Sequence, residues 1–168
     1  MKFEIKKEIA INAPASKVWK VLADDYQHIG NWATMVPQSE AETDDKGELC
    51  GRVCTSTMGP LTERISTWNE EEKSLSYELV GMPAMFKEGS NSWRVKALGE
   101  DKSMVYMHGK AGLSSLAGFF MGWMIKSKMS KDMDGLIEDL KYYVEFGKPH
   151  PRKTKSQEKW KRKNRNAA

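Results

Sequence analysis

Residues 114–145 read SSLAGFFMGWMIKSKMSKDMDGLIEDLKYYVE, and this stretch decides the fold. It contains no proline, and its apolar residues and glycines recur at steps of three and four, the period of one helix face. The members of this stripe are Gly118, Gly122, Ile125, Met129, Met133, Leu136, Leu140 and Tyr143. A helix of this length extends roughly 45 Å at ~1.5 Å per residue. Only a broad sheet could face so long a helix, so we expect one in the rest of the chain.

The N-terminal part of the chain predicts one strand followed by two short helices. Alternating apolar residues indicate a half-buried strand over residues 2–12. These residues are Phe3, Ile5, Ile9 and Ile11. Pro14 is suited to the first position of a helix, and a second short helix is expected over residues 26–32, before Pro37.

Turn signals at regular intervals predict six further strands. They occur at residues 44–47 (DDKG), 58–60 (MGP), 69–73 (NEEEK), 81–83 (GMP) and 99–101 (GED). The runs between them are short and alternate in polarity, which is typical of an antiparallel meander and too short for parallel crossovers. The predicted class is therefore α+β. A seven-stranded antiparallel sheet curls around the long C-terminal helix, with two short helices between strands 1 and 2.

Charge divides the chain into a body and a tail. Residues 148–168 hold nine Lys or Arg and one Glu, whereas the whole chain holds 27 basic and 23 acidic residues. The body, residues 1–147, is thus mildly acidic and is expected to be one domain. The tail, residues 148–168, has no apolar stripe and is predicted to be disordered. Its charge favours at most a weak contact with an anionic surface, and it shows no module for specific nucleic-acid recognition.

The two cysteines and the N-terminus point to a cytoplasmic protein. Cys50 and Cys54 on one strand would lie about 13 Å apart, beyond the reach of a disulfide. The N-terminus, MKFEIKKE, is too charged for a signal peptide. The apolar run at residues 113–125 is too short to span a bilayer.

The architecture itself predicts a cavity. A seven-stranded sheet is over ~25 Å wide at ~4.8 Å per strand, whereas a helix is only about 10 Å across. A gap therefore tends to remain between the sheet and the helix, and such gaps are typical small-molecule sites.

Several short motifs resemble the START-like, or SRPBCC, helix-grip superfamily, which includes bacterial polyketide cyclase/dehydrase-like proteins. They are residues 11–19 (INAPASKVW), 29–32 (IGNW), 51–52 (GR), 62–65 (TERI) and 134–136 (DGL). The resemblance covers roughly residues 3–146. It implies the helix-grip fold for the body, a START-like ligand-binding domain, and a cavity lined by the glutamate of the TERI motif, Glu63. Because one fold hosts many functions, the resemblance does not name the chemistry.

Glu63 is the most interesting polar residue in the sequence. Leu61 and Ile65 flank it at i±2, so all three side chains share one face of a strand. If that face is the interior, Glu63 could orient a ligand or act as an acid or base, and Glu63→Gln would leave stability equal or slightly higher. The alternative is a surface glutamate paired across strands with Arg52 or Arg64.

The remaining candidate ligand-binding residues are apolar or aromatic side chains on the predicted inward faces, on the helix or in a loop. Residues 81–89 are expected to form a mobile lid. With Glu63, the full set is Trp32, Ile65, Tyr77, Leu79, Met82, Met85, Trp93, Val95, Met107, Ile125 and Met129. His108, which shares the strand parity of Tyr106, is expected to point outward or to lie at the end of its strand. No metal-ligand spacing or phosphate loop is visible, so no metal and no cofactor are predicted.

Three functions remain open from the sequence. The first is binding or carriage of a hydrophobic small molecule, such as a lipid, an isoprenoid or a polyketide. The second is a cyclase or dehydratase that uses Glu63 as acid or base, with Tyr77 or Tyr106. The third is a membrane- or protein-interacting adaptor that uses the tail and residues 113–125. One good inward polar residue favours binding over catalysis, since an enzyme needs at least two converging polar groups.

Overall fold

The computed structural model describes residues 1–56 and 59–165. Of the turn expected at residues 58–60, Met58 lies outside the described residues, and the next strand begins at Gly59. In chain order the elements are β1 (Lys2–Ile11), α1 (Ala15–Trp19) continued by a π-helical turn (Lys20–Asp24), a 3-10 helix (Tyr26–Asn31), β2 (Gln38–Thr43), β3 (Leu49–Ser56), β4 (Gly59–Asn69), β5 (Ser74–Val80), β6 (Phe86–Gly99), β7 (Lys102–Leu113), α2 (Ser115–Phe146) and α3 (Pro151–Arg165).

The seven strands form a single antiparallel sheet in the order β1-β7-β6-β5-β4-β3-β2. Strands β2 to β7 follow one another as a meander, and β1 closes the series by pairing along β7. With the long α2 and the short helices between β1 and β2, this arrangement confirms the predicted helix-grip fold class. Strand β6 already begins at Phe86, so the segment expected to be a lid is a loop only over residues 81–85.

Two apolar clusters hold α2 and the sheet together. The larger one buries the second half of α2, including Leu140 and Val144, with Trp19 and Tyr26 from the short helices. The smaller one contains Phe3, Ile5, Ala111 and Leu113 of β1 and β7, against which Ile125 and Met129 of α2 pack. Within the described residues, no helix is long and apolar enough to cross a membrane.

Gly51 of β3 lies where the backbones of neighbouring strands come closest. A Cβ atom there would lie 2.6 Å from the carbonyl oxygen of Glu63 and 2.8 Å from a carboxylate oxygen of Glu42. Because the Glu63 oxygen is main chain and cannot rotate away, we expect Gly51→Ala to lower the free energy of unfolding by about 2 kcal/mol. The measurement is urea-induced unfolding.

Gly135→Ala is the matched control for this substitution. A Cβ atom at Gly135 meets nothing within 4 Å. Since alanine is the better helix former, this variant should gain about 0.5–1 kcal/mol. Equal stabilities for the two variants would contradict the close approach at Gly51.

The C-terminal tail differs from its predicted disorder, because most of it forms α3. Arg152 anchors the start of this helix: its guanidinium donates hydrogen bonds to Asp139 (2.7 Å), Glu138 (2.9 Å) and the carbonyl oxygen of Gly135 (2.7 Å). Lys153 is buried, and its ammonium group donates to the carbonyl oxygen of Val36 at 2.6 Å. The helix is therefore attached through polar groups rather than through an apolar stripe.

Burial of Lys153 makes the stability of the protein depend on pH. Burial lowers the pKa of its ammonium group to about 8 from an ordinary 10.5, although nearby Asp139 opposes the shift. Between these two values the unfolded chain binds more protons than the folded one, so stability rises with pH; below pH 8 both states are protonated and the cost of burying the charge is fully present. We expect a gain of about 1 kcal/mol in unfolding free energy from about pH 8 to 9.

The variant Lys153→Met isolates this contribution, because other groups also titrate at alkaline pH. Burial raises the pKa of the Cys54 thiol to about 12, for example, and this favours unfolding above pH 9. Denaturant unfolding at several pH values should show a rise in the wild type that is absent from the variant. The same rise in both proteins would contradict the assignment to Lys153.

Candidate functional site

A cavity of about 120 Å³ lies between the sheet and α2. Its lining combines apolar walls, a few polar groups and three charged residues. The lining residues are Met35, Leu61, Glu63, Tyr77, Leu79, Ser90, Asn91, Gly109, Lys110, Met129, Asp132 and Met133. Small-molecule sites usually enclose ~300–1,000 Å³, so this cavity holds a ligand of only a few heavy atoms unless its walls move.

Methionine side chains form much of the movable wall. Met35 follows the 3-10 helix, and Met129 and Met133 lie one turn apart on α2. Met133 reaches the sheet beside Gly109, where a Cβ atom would lie 2.9 Å from its methyl group. Unbranched thioether side chains change shape at little cost, so the same walls can close on a small ligand or open for a larger one.

Glu63 forms a buried ion pair with Arg52 at one side of the cavity. The two residues face each other across β3 and β4. Arg52 Nε donates to Glu63 Oε2 at 2.6 Å, Nη2 binds the same oxygen, and Nη1 donates to the carbonyl oxygen of Tyr26 at 2.5 Å. Arg52 is 3% exposed and Glu63 is 8% exposed. The structure thus combines the two sequence-based alternatives, since Glu63 is both interior and paired with Arg52.

Aromatic rings complete the surroundings of this ion pair. The Arg52 guanidinium carbon lies 4.0 Å from the ring centroid of Tyr26 and 5.4 Å from that of Tyr77. Burial opposes the charge on Arg52, but the Glu63 carboxylate and smaller contributions from Tyr77, Tyr26 and Cys54 together outweigh it, so the pKa of the guanidinium is raised. Burial likewise raises the pKa of Tyr26, whose hydroxyl donates to the carbonyl oxygen of Glu63 at 3.3 Å. Arg52 therefore stays charged and keeps Oε2 of Glu63 occupied.

Tyr77 is the second polar centre of the cavity. Its hydroxyl oxygen accepts hydrogen bonds from Asn91 Nδ2 at 3.0 Å and from Trp93 Nε1 at 3.3 Å. Burial, with the negative charge of Glu63, raises the pKa of Tyr77 to about 12, so the hydroxyl keeps its proton. Both lone pairs of the oxygen are used, and no acceptor among the described residues takes the proton. Tyr77 therefore offers one free hydrogen-bond donor.

Asn91 supplies an unused acceptor beside this donor. Its side-chain oxygen Oδ1 is buried and has no hydrogen-bond partner among the described residues. Glu63 Oε1 is also without a hydrogen bond from those residues, because Arg52 binds only Oε2. A buried polar atom without a partner costs free energy, so Asn91 Oδ1 favours a ligand group that donates a hydrogen bond to it.

The structure brings together four of the twelve sequence-based candidates at the cavity: Glu63, Tyr77, Leu79 and Met129. Trp32, Trp93, Val95 and Met107 point inward but are enclosed in the main apolar cluster, and Ile65 packs against it. Ile125 packs in the smaller cluster. In the loop after β5, Met82 lies half-buried against Gly89 and Met85 is exposed.

The sequence reasoning missed Asn91, Met35 and Arg52 as parts of this site. Asn91 shares the strand parity of Trp93 and Val95, so the alternation in β6 contained a signal for it. Met35 lies in an irregular segment with no periodicity to interpret. Arg52 was considered only as a surface partner of Glu63, because an alternating pattern does not reveal which residues face each other across strands.

Other chemistry-bearing side chains lie away from the cavity. His108 is on the outer face of the sheet, as expected, with its Nε2 3.0 Å from a carboxylate oxygen of Glu4. Cys50 and Cys54 are free thiols. Among residues 1–56 and 59–165, no three His, Cys, Asp or Glu side chains come close enough together to hold a metal ion.

A long helix packed on a seven-stranded antiparallel sheet, with a cavity between them, defines the helix-grip fold class. Residues 2–145 match the model of a family described as polyketide cyclase / dehydrase and lipid transport. The chain belongs to this family. No protein with a curated description is similar to the chain by sequence.

Solved structures share the fold at low sequence identity. A START superfamily protein from Mycobacterium smegmatis superposes with a TM-score of 0.71 at 14% identity, covering 84% of this chain and 97% of its own. The Zhui aromatase/cyclase from a Streptomyces species has a TM-score of 0.66 at 12% identity, covering 89% and 100%. A point mutant of norcoclaurine synthase from Thalictrum, in complex with a transition-state analogue, has a TM-score of 0.60 at 12% identity, covering 86% and 94%.

Proposed function

We propose that the protein binds an apolar small molecule that carries a hydroxyl group, with the hydroxyl at Tyr77 and Asn91 and the apolar part along the methionine wall. The observation that carries the proposal is the unused donor of Tyr77 next to the unused acceptor of Asn91. A hydroxyl group both donates and accepts, so one ligand atom satisfies both partners. Lipid alcohols, isoprenoid alcohols and phenolic polyketides all present such a group.

The apolar walls support a hydrophobic body for this ligand. Met35, Leu61, Leu79, Met129 and Met133 surround the polar end, and the charged Lys110 and Asp132 also belong to the lining. Binding would remove the apolar part of the ligand from water, which stabilises the complex by about 25 cal/mol for each Å² of apolar surface buried. The polar contacts would then decide which apolar molecules are accepted, because a site built for a hydroxyl rejects the analogue that lacks it.

The family description and one structural neighbour support a small-molecule ligand for this fold. The family description names both polyketide cyclases and lipid transport, and the Thalictrum enzyme of the same fold was solved with a transition-state analogue bound. In this chain the Arg52–Glu63 ion pair occupies one carboxylate oxygen, which suits holding a ligand better than proton transfer. Binding or carriage is therefore the function that we favour.

The test compares p-cresol with toluene, two ligands of equal ring size that differ in the hydroxyl group, by calorimetric titration. The wild type should bind p-cresol roughly fivefold more tightly than toluene. This ratio corresponds to the binding free energy that about one net hydrogen bond contributes. Tyr77→Phe should remove this preference. Tyr106→Phe, on the outer face of the sheet, is the matched control and should keep it.

A second variant protects the test against loss of folding, since Tyr77→Phe leaves the Asn91 and Trp93 donors without an acceptor. Gly109→Ala places a methyl group at the cavity wall against the flexible end of Met133. It should weaken the binding of both ligands severalfold. If the wild type binds neither ligand, or if Tyr77→Phe retains the preference, the proposed site is wrong.

A second candidate function is a cyclase or dehydratase, and one observation favours it. Glu63 Oε1 accepts no hydrogen bond from the described residues, and the Tyr77 hydroxyl keeps one free donor. Both residues line the same cavity, so two polar groups converge as an enzyme requires. Native mass spectrometry of co-purified ligand distinguishes carriage from dehydration. A carrier should retain the same ligand in wild type and Glu63→Gln. A dehydratase should retain, in the variant, a species heavier by one water.

A further inference from the structure

The first three turns of α2 carry a row of exposed apolar side chains, which we name the aromatic stripe. Its members are Leu116, Phe119, Phe120, Trp123 and Met124. They recur at steps of three and four, so they lie on one face of the helix. Phe119 is 85% exposed and Trp123 is 76% exposed. A continuous apolar surface of this kind is unusual on a monomeric protein and marks an interaction site.

The opposite face of the same turns is fixed to the protein. Gly118 and Gly122 lie against Met1, whose side chain fills the space that a Cβ atom would need. The N-terminal ammonium of Met1 donates to the carbonyl oxygen of Leu113 at 3.1 Å, and Ile125 packs in the smaller apolar cluster. The aromatic stripe therefore lies on the outer face of a helix whose inner face is packed against the protein, and its side chains are not part of the apolar core.

Charge identifies the kind of partner that fits this surface. Residues 113–131 contain no Asp or Glu, whereas three lysines, Lys126, Lys128 and Lys131, follow the aromatic stripe. All three are exposed, and Lys126 and Lys131 make no ion pair with the described residues. An aromatic face bordered by lysines complements a surface that is apolar inside and negatively charged outside.

We propose that the aromatic stripe docks onto an anionic lipid bilayer, with Trp123 and the phenylalanines among the headgroups and Lys126 and Lys131 against the acidic lipids. Tryptophan suits this depth because its ring is apolar and its N–H remains polar. A second copy of the chain fits less well, because a symmetric contact between two stripes would bring the same lysines together without acidic partners.

The aromatic stripe also lies close to the proposed ligand site. Met129, which lines the cavity, follows Trp123 by six residues, or about 9 Å along the helix. Met85 lies at the other end of the stripe, where its carbonyl oxygen accepts a hydrogen bond from the Ser114 N–H at 2.9 Å. Docking would therefore place the helix that forms the cavity wall at the membrane surface.

The test is flotation of the protein with vesicles of phosphatidylcholine alone or with about 30% phosphatidylserine, at low and high salt. The wild type should bind the serine-containing vesicles roughly tenfold more tightly at low salt and lose most of that preference at high salt. The variant Phe119→Ser/Phe120→Ser/Trp123→Ser should bind at least about tenfold more weakly to both. Lys126→Gln/Lys131→Gln should lose only the preference for vesicles that contain phosphatidylserine and should bind vesicles of phosphatidylcholine as the wild type does.

The matched control is Leu98→Ser/Phe146→Ser, which removes two exposed apolar side chains far from the stripe in sequence and should bind as the wild type does. Failure of the wild type to float, or equal flotation of the stripe variant, would overturn the proposal. If the wild type is a dimer that does not float with vesicles, and the stripe variant is a monomer, the aromatic stripe is instead the contact surface for a second copy of the chain. Binding of p-cresol by the stripe variant should be unchanged, so the outcome is independent of the proposed ligand site.

Discussion

Glu63→Gln is expected to lower the free energy of unfolding by about 3 kcal/mol. The substitution removes the negative charge that compensates the Arg52 guanidinium, which is almost fully buried among aromatic rings. A buried charge left without its partner is costly, whereas replacing both partners together is often neutral. This expectation reverses the one drawn from the sequence, in which Glu63 had no charged partner. Urea-induced unfolding followed by circular dichroism measures the difference.

Two further variants make this result specific to the buried pair. Arg52→Met/Glu63→Leu should recover most of the lost stability, because neither charge then remains in the interior. Glu42→Gln breaks the exposed pair with Arg64, whose contact is 3.3 Å, and should change stability by less than about 1 kcal/mol. If Glu63→Gln unfolds at the same denaturant concentration as the wild type, the buried ion pair does not stabilise the fold as described.

Removal of residues 149–168 is expected to cost about 2 kcal/mol of stability. The deletion takes away Arg152, which binds the buried Asp139, and Lys153, which binds the carbonyl oxygen of Val36. Asp139 is 1% exposed and would keep only its hydrogen bond from the Thr34 N–H, at 2.7 Å. Removing a charged hydrogen-bond partner from a buried carboxylate typically costs this much.

A shorter deletion provides the control. Removal of residues 161–168 takes away exposed cations but leaves Arg152 and Lys153 in place. The melting temperature of this shorter deletion should lie within a degree or two of that of the full chain, since surface residues without specific contacts contribute little to stability. Equal melting temperatures for the full chain and the longer deletion would show that α3 does not stabilise the body.

The fold was predictable because its elements follow local patterns. Turn signals separated the strands, and the proline-free stretch at residues 114–145 predicted a helix that the structure places at Ser115–Phe146. The pairing of β1 with β7, however, joins residues about a hundred positions apart, and no local pattern specifies it. The sequence therefore predicted the number of strands and their order along the chain, but not this pairing.

Helix α3 shows why the tail was misjudged. Its attachment depends on Arg152 and Lys153 reaching carbonyl oxygens of Gly135 and Val36 and the carboxylates of α2. Hydrogen bonds to main-chain oxygens leave no trace in a hydrophobic pattern. A basic run without an apolar stripe therefore looked like a solvated tail, although one of its lysines is fully buried.

The candidate site was only partly predictable from the sequence. The inward direction of a side chain does not tell whether it is packed among its neighbours or borders a cavity. Trp93 and Met107 point inward, as their strand parity indicated, but neighbouring side chains enclose them. Leu79 and Met129 also point inward and reach the cavity. Which of these positions borders a cavity depends on how the side chains of sheet and helix fit together, and this appears only in three dimensions.

The central claim, that the protein holds its ligand between the sheet and α2, is tested most directly by NMR of methyl-labelled methionines during titration with p-cresol. The chain has eleven methionines, and three of them, Met35, Met129 and Met133, line the cavity. We predict shifts at these three methyl groups, with none at Met104 on the outer face of the sheet or at Met124 in the aromatic stripe. Saturation without shifts at the three cavity methionines, or shifts confined to Met124 and other exposed methionines, would contradict the account.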